Sequence, residues 1–224
     1  MKKIIGTPKT TNDKLIKQIG KTNVNYFYLK NKKDFRDQIL VSIQQNDDVL
    51  DIGMSMRDKY SKIKSNSLET LDVNDYNEYP DIICDICDNI DGLENKYDKI
   101  ICIAVLEHVY NPFKAVENLN IMLKEKGTLF GFVPYLYQYH APMDLKFQDY
   151  FRFSKDAVSF LFKDFNHLEI FPVRGRISAP LSVLFGAKWK QYIEKTKINL
   201  LLDKFVSDEK NLKQCSGFYF TAKK

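Results

Sequence analysis

Only three histidines occur in the 224 residues, His108, His140 and His167. Imidazole is the side chain that most readily moves a proton near neutral pH. His108 follows a nearly unbroken apolar run, Tyr97 to Ala104, and His140 follows a second, Thr128 to Val133. Both therefore stand where a strand gives way to a loop, and His140 is the preferred base because it opens a segment rich in polar and aromatic groups. His167 sits in a later strand region and reads as structural. Acidic residues close three other apolar stretches: Asp51, Asp72 and Asp85. Carboxylates at strand ends suit ribose hydroxyls and cations. Cys84-x-x-Cys87 has the spacing of a zinc or redox pair, but no second ligand pair accompanies it. The flanking Ile82, Ile83 and Ile86 make these cysteines part of a strand, and no metal is expected there.

The elements that must position these groups follow from patterning. Val49, Leu50 and Ile52 form a short strand buried on both faces, interrupted by Asp51 and ended by Gly53. Glycine at that turn lets a ligand approach bare backbone. A helix is expected over about 33–45, with Phe35, Ile39, Leu40 and Ile43 on one face. Further strands are expected at Leu68–Val73, Asp81–Ile86, Tyr97–Ala104 and Thr128–Val133. Between the last two, Asn111 and Pro112 start a helix that Gly127 should stop. Ser154 caps another over about 155–165. Residues 1–32 are polar and irregular, an N-terminal extension, and residues 176–212 are a helical insertion within one 224-residue domain. This alternation predicts an α/β fold, a Rossmann-like, mostly parallel sheet with helices on both faces. Ligands then bind at the carboxyl ends of the strands, beside Asp51–Ser55, Asp72–Asn74, Asp85–Ile86, Val105–His108 and Pro134–His140.

Composition narrows the classes. Sixteen Phe and thirteen Tyr exclude a disordered chain. The net charge of +5 is scattered, which argues against a nucleic-acid surface. No signal peptide or membrane-length apolar run is evident, so a cytoplasmic protein with reduced thiols is expected. A dinucleotide site would need G-x-G-x-x-G, whereas Gly53-Met54-Ser55-Met56-Arg57 has one glycine. An acid-lined site without a phosphate cradle suits a cationic nucleoside such as S-adenosylmethionine.

Several segments carry a family resemblance. Val49-Leu50-Asp51-Ile52-Gly53, Asp85-Ile86, Ala104-Val105-Leu106-Glu107-His108-Val109 and Gly127-Thr128-Leu129-Phe130 together resemble the class I S-adenosylmethionine-dependent methyltransferases. The match is nearest to the group typed as methyltransferase domain 11, whose sheet has seven strands. Tyr139-His140 with Asp149-Tyr150-Phe151-Arg152-Phe153-Ser154 is similar to the YH…DYWRFT segment of a bacterial subset. The last strand of that subset is similar to residues 215–224.

The resemblance implies that Asp51 and Gly53 line the methionine end of the cofactor, that Asp72 takes the ribose hydroxyls, and that Asp85 and Ile86 flank the adenine. Ser55 replaces a second glycine of the motif and Arg57 a third. His140 and His108 are the catalytic candidates. Tyr139, Asp149, Tyr150 and Arg152, with Tyr135 and Tyr137, are the acceptor contacts. Some methyltransferases bind a divalent ion through Glu-x-x-Glu-His; here Ala104 stands at the first carboxylate, so no metal is expected. A small-molecule or glycan acceptor is preferred. A nucleic-acid methyltransferase and a catalytically silent cofactor- or partner-binding domain stay open. Trp189, Tyr192 and Ile193 alternate with Lys188, Lys190, Lys195 and Lys197 in two expected amphipathic helices, which suit packing on the core first and, more specifically, a lid, a dimer interface or a membrane-surface contact.

Overall fold

The computed structural model describes residues 23–26, 32–141, 147–185 and 198–224. Eight strands among them form one sheet: β1 (Asn23–Tyr26), β2 (Asp48–Ile52), β3 (Ser67–Asp72), β4 (Ile82–Ile83), β5 (Tyr97–Ile103), β6 (Leu123–Pro134), β7 (His167–Val173) and β8 (Gly217–Lys223). Their order across the sheet is β1-β7-β8-β6-β5-β2-β3-β4. The sheet is mixed. β8 runs antiparallel to both β6 and β7, and every other neighbouring pair is parallel.

The alternation of side chains across the central strands builds two cores. On one face Leu50, Ile52, Ile100, Cys102, Leu129 and Phe220 pack under helix α2 (Pro112–Met122) and α3 (Lys155–Leu161). On the other, Val49, Ile101, Ile103, Phe130 and Tyr219 pack under α1 (Lys32–Ser42). Phe35 of α1 stacks on Tyr219 with ring centroids 4.4 Å apart. Helices thus cover both faces, as the apolar central strands require. Both caps read from the sequence form: the side chain of Asn111 accepts from the Lys114 N–H, and that of Ser154 from the Ala157 N–H.

Four expectations are corrected. The sheet has eight described strands rather than seven, because residues 23–26 of the N-terminal extension pair in parallel with β7. An edge strand needs only backbone partners, so a polar sequence can supply one. α2 ends at Met122, not at Gly127: Leu123 is already extended and begins β6. Gly127 lies within β6, where an added Cβ would meet the Lys124 carbonyl at 2.8 Å, so close approach explains the glycine. The third expected strand shrinks to Ile82–Ile83, which leaves Cys84 in the loop that follows and Cys87 in a turn beyond it. α3 stops at Leu161 rather than near residue 165.

The described part of the insertion holds α4 (Ser178–Leu184), α5 (Ile198–Asp203) and α6 (Asp208–Lys213). Buried Asp203 ties it to the end of β7, accepting from the Gly175, Ile177 and Ser178 N–H groups. Trp189, Tyr192, Ile193 and the four interleaved lysines lie outside the described residues. Among the described residues no helix is long and apolar enough to cross a membrane.

Candidate active site

The site begins where β2 ends. Gly53 and Met54 both take positive φ, +71° and +51°. This turns the backbone sharply away from the sheet and brings Gly53 against Val105, from the loop after β5. A Cβ on Gly53 would sit 2.6 Å from Val105 Cγ2. Ala104, just after β5, also has φ of +57°. Positive φ at non-glycine residues is uncommon, and here two of them flank one cavity.

Asp51 points away from that cavity. Its side chain is 0% exposed and accepts from Ser55 Oγ (3.0 Å), the Met56 N–H (2.8 Å) and Tyr60 Oη (2.8 Å). Burial pushes its carboxyl up to about 6 even with these donors. Asp51 and Ser55, expected against the cofactor, therefore organise the turn from behind. Tyr60 belongs to a six-residue 3₁₀ helix, Arg57–Lys62, and had no sequence signal as a partner of Asp51. Arg57 pairs with Glu78 at 3.5 Å and lies over the Tyr79 ring.

A cavity of about 540 Å³ opens at the carboxyl ends of β2, β3 and β5 and beyond β4. It falls within the roughly 300–1,000 Å³ of small-molecule sites. Gly53, Asp72, Asp85 and Ile86 all line it. Asp72 ends β3, and one of its oxygens accepts from the Asn74 N–H at 2.9 Å. Asp85 accepts from the Cys87 N–H at 2.8 Å, which fixes the turn that carries Ile86. Asn74 and Val105, both within the strand-end stretches expected from the sequence, line the cavity as well; Tyr76 and Tyr110 also line it and carried no sequence signal, because loop residues show no periodicity.

At the other end of the cavity the two catalytic candidates come together. His108 and His140, 32 residues apart in sequence, place their Nε2 atoms 3.1 Å apart. His108 Nδ1 lies 2.6 Å from the Gln148 carbonyl, and His140 Nδ1 lies 3.2 Å from both the Gln138 carbonyl and an Asp149 oxygen. Glu107, 0% exposed, stands behind them with Oε1 3.5 Å from His140 Nε2 and 3.9 Å from His108 Nε2. The Glu107 carboxylate first, then the Gln138 carbonyl and the charge of Asp149, raise the pKa of His140 above its ordinary value, against an opposing effect of burial.

Of the expected acceptor contacts, only Tyr150 lines the cavity. Tyr139 is 69% exposed and is not among the cavity-lining residues. Asp149 and Arg152 pair with each other. The Arg152 guanidinium bridges both Asp149 oxygens, and it also donates to the Gln138 and Phe151 carbonyls. Arg152 holds the Asp149 carboxyl down at about 2. The pair staples the two ends of the 137–152 segment and so sets where His140 stands. Phe147 and Gln148 supply the wall instead.

No protein-family model matches the chain. No curated protein matches it either. Solved structures do. A SAM-dependent methyltransferase from Archaeoglobus fulgidus aligns over 86% of this chain and 92% of its own, with a TM-score of 0.53 and 13% identity. A SAM-dependent methyltransferase from Methanosarcina mazei aligns over 84% and 96%, with a TM-score of 0.50 and 12% identity. Phosphoethanolamine N-methyltransferase 2 of Haemonchus contortus, in complex with S-adenosyl-L-methionine, aligns over 86% of this chain with a TM-score of 0.54 and 13% identity; the chain spans about half (51%) of that protein. The chain shares its fold with these methyltransferases.

Proposed function

We propose that the chain is an S-adenosylmethionine-dependent methyltransferase acting on a small polar molecule or glycan-type acceptor. The observation that carries this reading is the convergence of Gly53, Asp72 and Asp85–Ile86 on one cavity. Each closes or follows a successive strand of a sheet shared with solved methyltransferases. A sulfonium nucleoside needs three kinds of contact. Bare backbone at Gly53 admits the methionine end. Asp72 has lone pairs left for two ribose hydroxyls. Ile86 offers an apolar edge to adenine, with Asp85 beside it.

Methyl transfer is an in-line displacement at carbon, so the protein contributes chiefly by aligning acceptor, methyl and sulfur. The histidine pair stands at the far end of the cavity and handles the acceptor's proton where there is one to lose. Tyr150 and Phe147 form a short aromatic wall there, scaled to a small acceptor rather than to a nucleic-acid strand. Arg152 is taken up by Asp149 and so is not offered to a phosphate backbone.

Calorimetry with S-adenosylmethionine and S-adenosylhomocysteine tests the cofactor. Binding is expected for the natural chain. Asp72→Ala should weaken it by about 1–3 kcal/mol, roughly 5- to 150-fold, through loss of charge-assisted hydrogen bonds. No heat at millimolar ligand with a folded protein refutes the reading.

A further inference from the structure

We propose that Glu107, His108 and His140 bind a divalent transition-metal ion at the acceptor end of the cavity. Their ligand atoms all lie within 4.8 Å of one another. The hydrogen bonds around the two rings say more than the proximity does. The His108 Nδ1 faces a carbonyl, and the His140 Nδ1 faces a carbonyl and a carboxylate. A carbonyl oxygen can only accept, as can the Asp149 carboxylate, so each Nδ1 carries the hydrogen. A ring that carries no second hydrogen, as a metal ligand must not, then presents a bare lone pair at Nε2. Two such lone pairs meet at 3.1 Å, where they repel unless a cation lies between them.

Glu107 adds an independent observation. It is 0% exposed, and neither of its carboxylate oxygens has a hydrogen-bond partner among the described residues. Burying an ionised carboxylate without a compensating partner is strongly unfavourable. A single proton shared by the two Nε2 atoms leaves that carboxylate only loosely matched, at 3.5 and 3.9 Å. A divalent ion placed among the three groups meets all of them at once.

The geometry fits such an ion. Two imidazole nitrogens held about 2.0–2.1 Å from one metal are about 2.9 Å apart at right angles and about 3.4 Å apart at a tetrahedral angle. The observed 3.1 Å falls between. Oxygen acceptors on the opposite ring nitrogens are the outer partners that fix metal-binding imidazoles in the correct tautomer. Two imidazoles and one carboxylate suit zinc, manganese, iron or cobalt rather than magnesium or calcium. His108 and His140 both line the cavity, so the remaining coordination positions face the acceptor.

The catalytic consequence rests on the methyltransferase reading. An acceptor hydroxyl bound to the ion would lose its proton to water at lower pH and keep a lone pair for the methyl group, and His140 would then serve as a ligand rather than as a base.

The experiment uses the full chain, stripped with a chelator and dialysed, without cofactor. Cobalt(II) is added and its visible absorption followed, and zinc(II) binding is measured by calorimetry. One ion per chain is expected, with a nitrogen- and oxygen-ligated cobalt spectrum and no near-ultraviolet thiolate band. His140→Ala and Glu107→Gln should each weaken binding at least tenfold. A Cys84→Ser/Cys87→Ser double variant should leave it unchanged. His140 is half-buried on a loop, so its variant decides the question if Glu107→Gln unfolds, as circular dichroism would reveal. The proposal is overturned by no binding at millimolar metal, by full affinity in folded His140→Ala, or by a thiolate band lost in the double cysteine variant. S-adenosylmethionine binding is measured separately on the same preparation. Metal binding without cofactor binding removes the methyltransferase reading and leaves the metal site. The reverse result removes only the metal site.

Discussion

Gly53→Ala puts the geometry of the central turn to a quantitative test. Two independent costs follow from the structure. The residue holds φ at +71°, and a side chain in that left-handed region costs about 1–2 kcal/mol. The new Cβ would also lie 2.6 Å from Val105 Cγ2, well inside the roughly 3.5–4.0 Å optimum for carbon contacts. Valine is branched at Cβ and turns only into poorer rotamers, so relief has to come from Val105 or its loop. Overpacking of this kind costs about 1–3 kcal/mol. The two terms together destabilise the fold by about 2–5 kcal/mol. Val105→Ala removes the clashing methyl, and alone it costs about 1 kcal/mol because Val105 is only half-buried. Urea unfolding of the natural chain, both single variants and the double variant gives the full cycle. The double variant should be less destabilised than the sum of the singles by about 1–3 kcal/mol, the clash term of the cycle. Additivity within about 0.5 kcal/mol would show that Gly53 and Val105 do not meet, and the account of the turn would fail.

Asp51 predicts a pH dependence. Its folded carboxyl is raised from 3.8 to about 6, so the native state holds this proton more tightly than the unfolded chain. The stability it contributes is complete below pH 3.8 and is lost as pH rises through about 6, a loss on the order of 3 kcal/mol at about 1.36 kcal/mol per pKa unit. Asp51→Asn lacks this slope, so the stability of the natural chain relative to the variant should fall between about pH 4 and 7. A flat or rising difference in urea unfolding sinks the assignment. Arg152→Ala should leave Asp149 with its buried carboxylate paired only through His140, at a cost of about 2–3 kcal/mol. Limited proteolysis should then cut within 137–152 while the cofactor affinity stays near its natural value; unchanged resistance would show that the Asp149–Arg152 pair does not hold that segment.

Where apolar residues are contiguous, the sequence alone determined the result. Val49 to Ile52 and Tyr97 to Ile103 form buried parallel strands because only a doubly covered sheet accommodates such runs. Asn111-Pro112 and Ser154 start helices because a cap is a local hydrogen bond, complete within four residues. Asp72, Asp85 and Ile86 reach the cavity because strand ends of a parallel sheet share one edge.

Tertiary structure decided what depends on distant partners. A polar four-residue edge strand at Asn23–Tyr26 forms through backbone pairing with β7, which leaves no mark in side-chain pattern. Whether Asp51 faces a ligand or the protein depends on Tyr60 and Met56, which the turn folds back over it. Gly127 looked like a helix stop, but its need for space arises from the Lys124 carbonyl inside β6. Asp149 and Arg152, opposite in charge and three residues apart, do pair, but that the pair stands off the cavity instead of lining it is decided by the contacts of Arg152 with the Gln138 carbonyl and of Asp149 with the His140 N–H. The meeting of Glu107, His108 and His140 is the clearest case. The first two are neighbours in sequence, but the third arrives across 32 residues because β6 lies beside β5 in the sheet. Strand order, which no local spacing encodes, is what places two imidazoles and a buried carboxylate around one point.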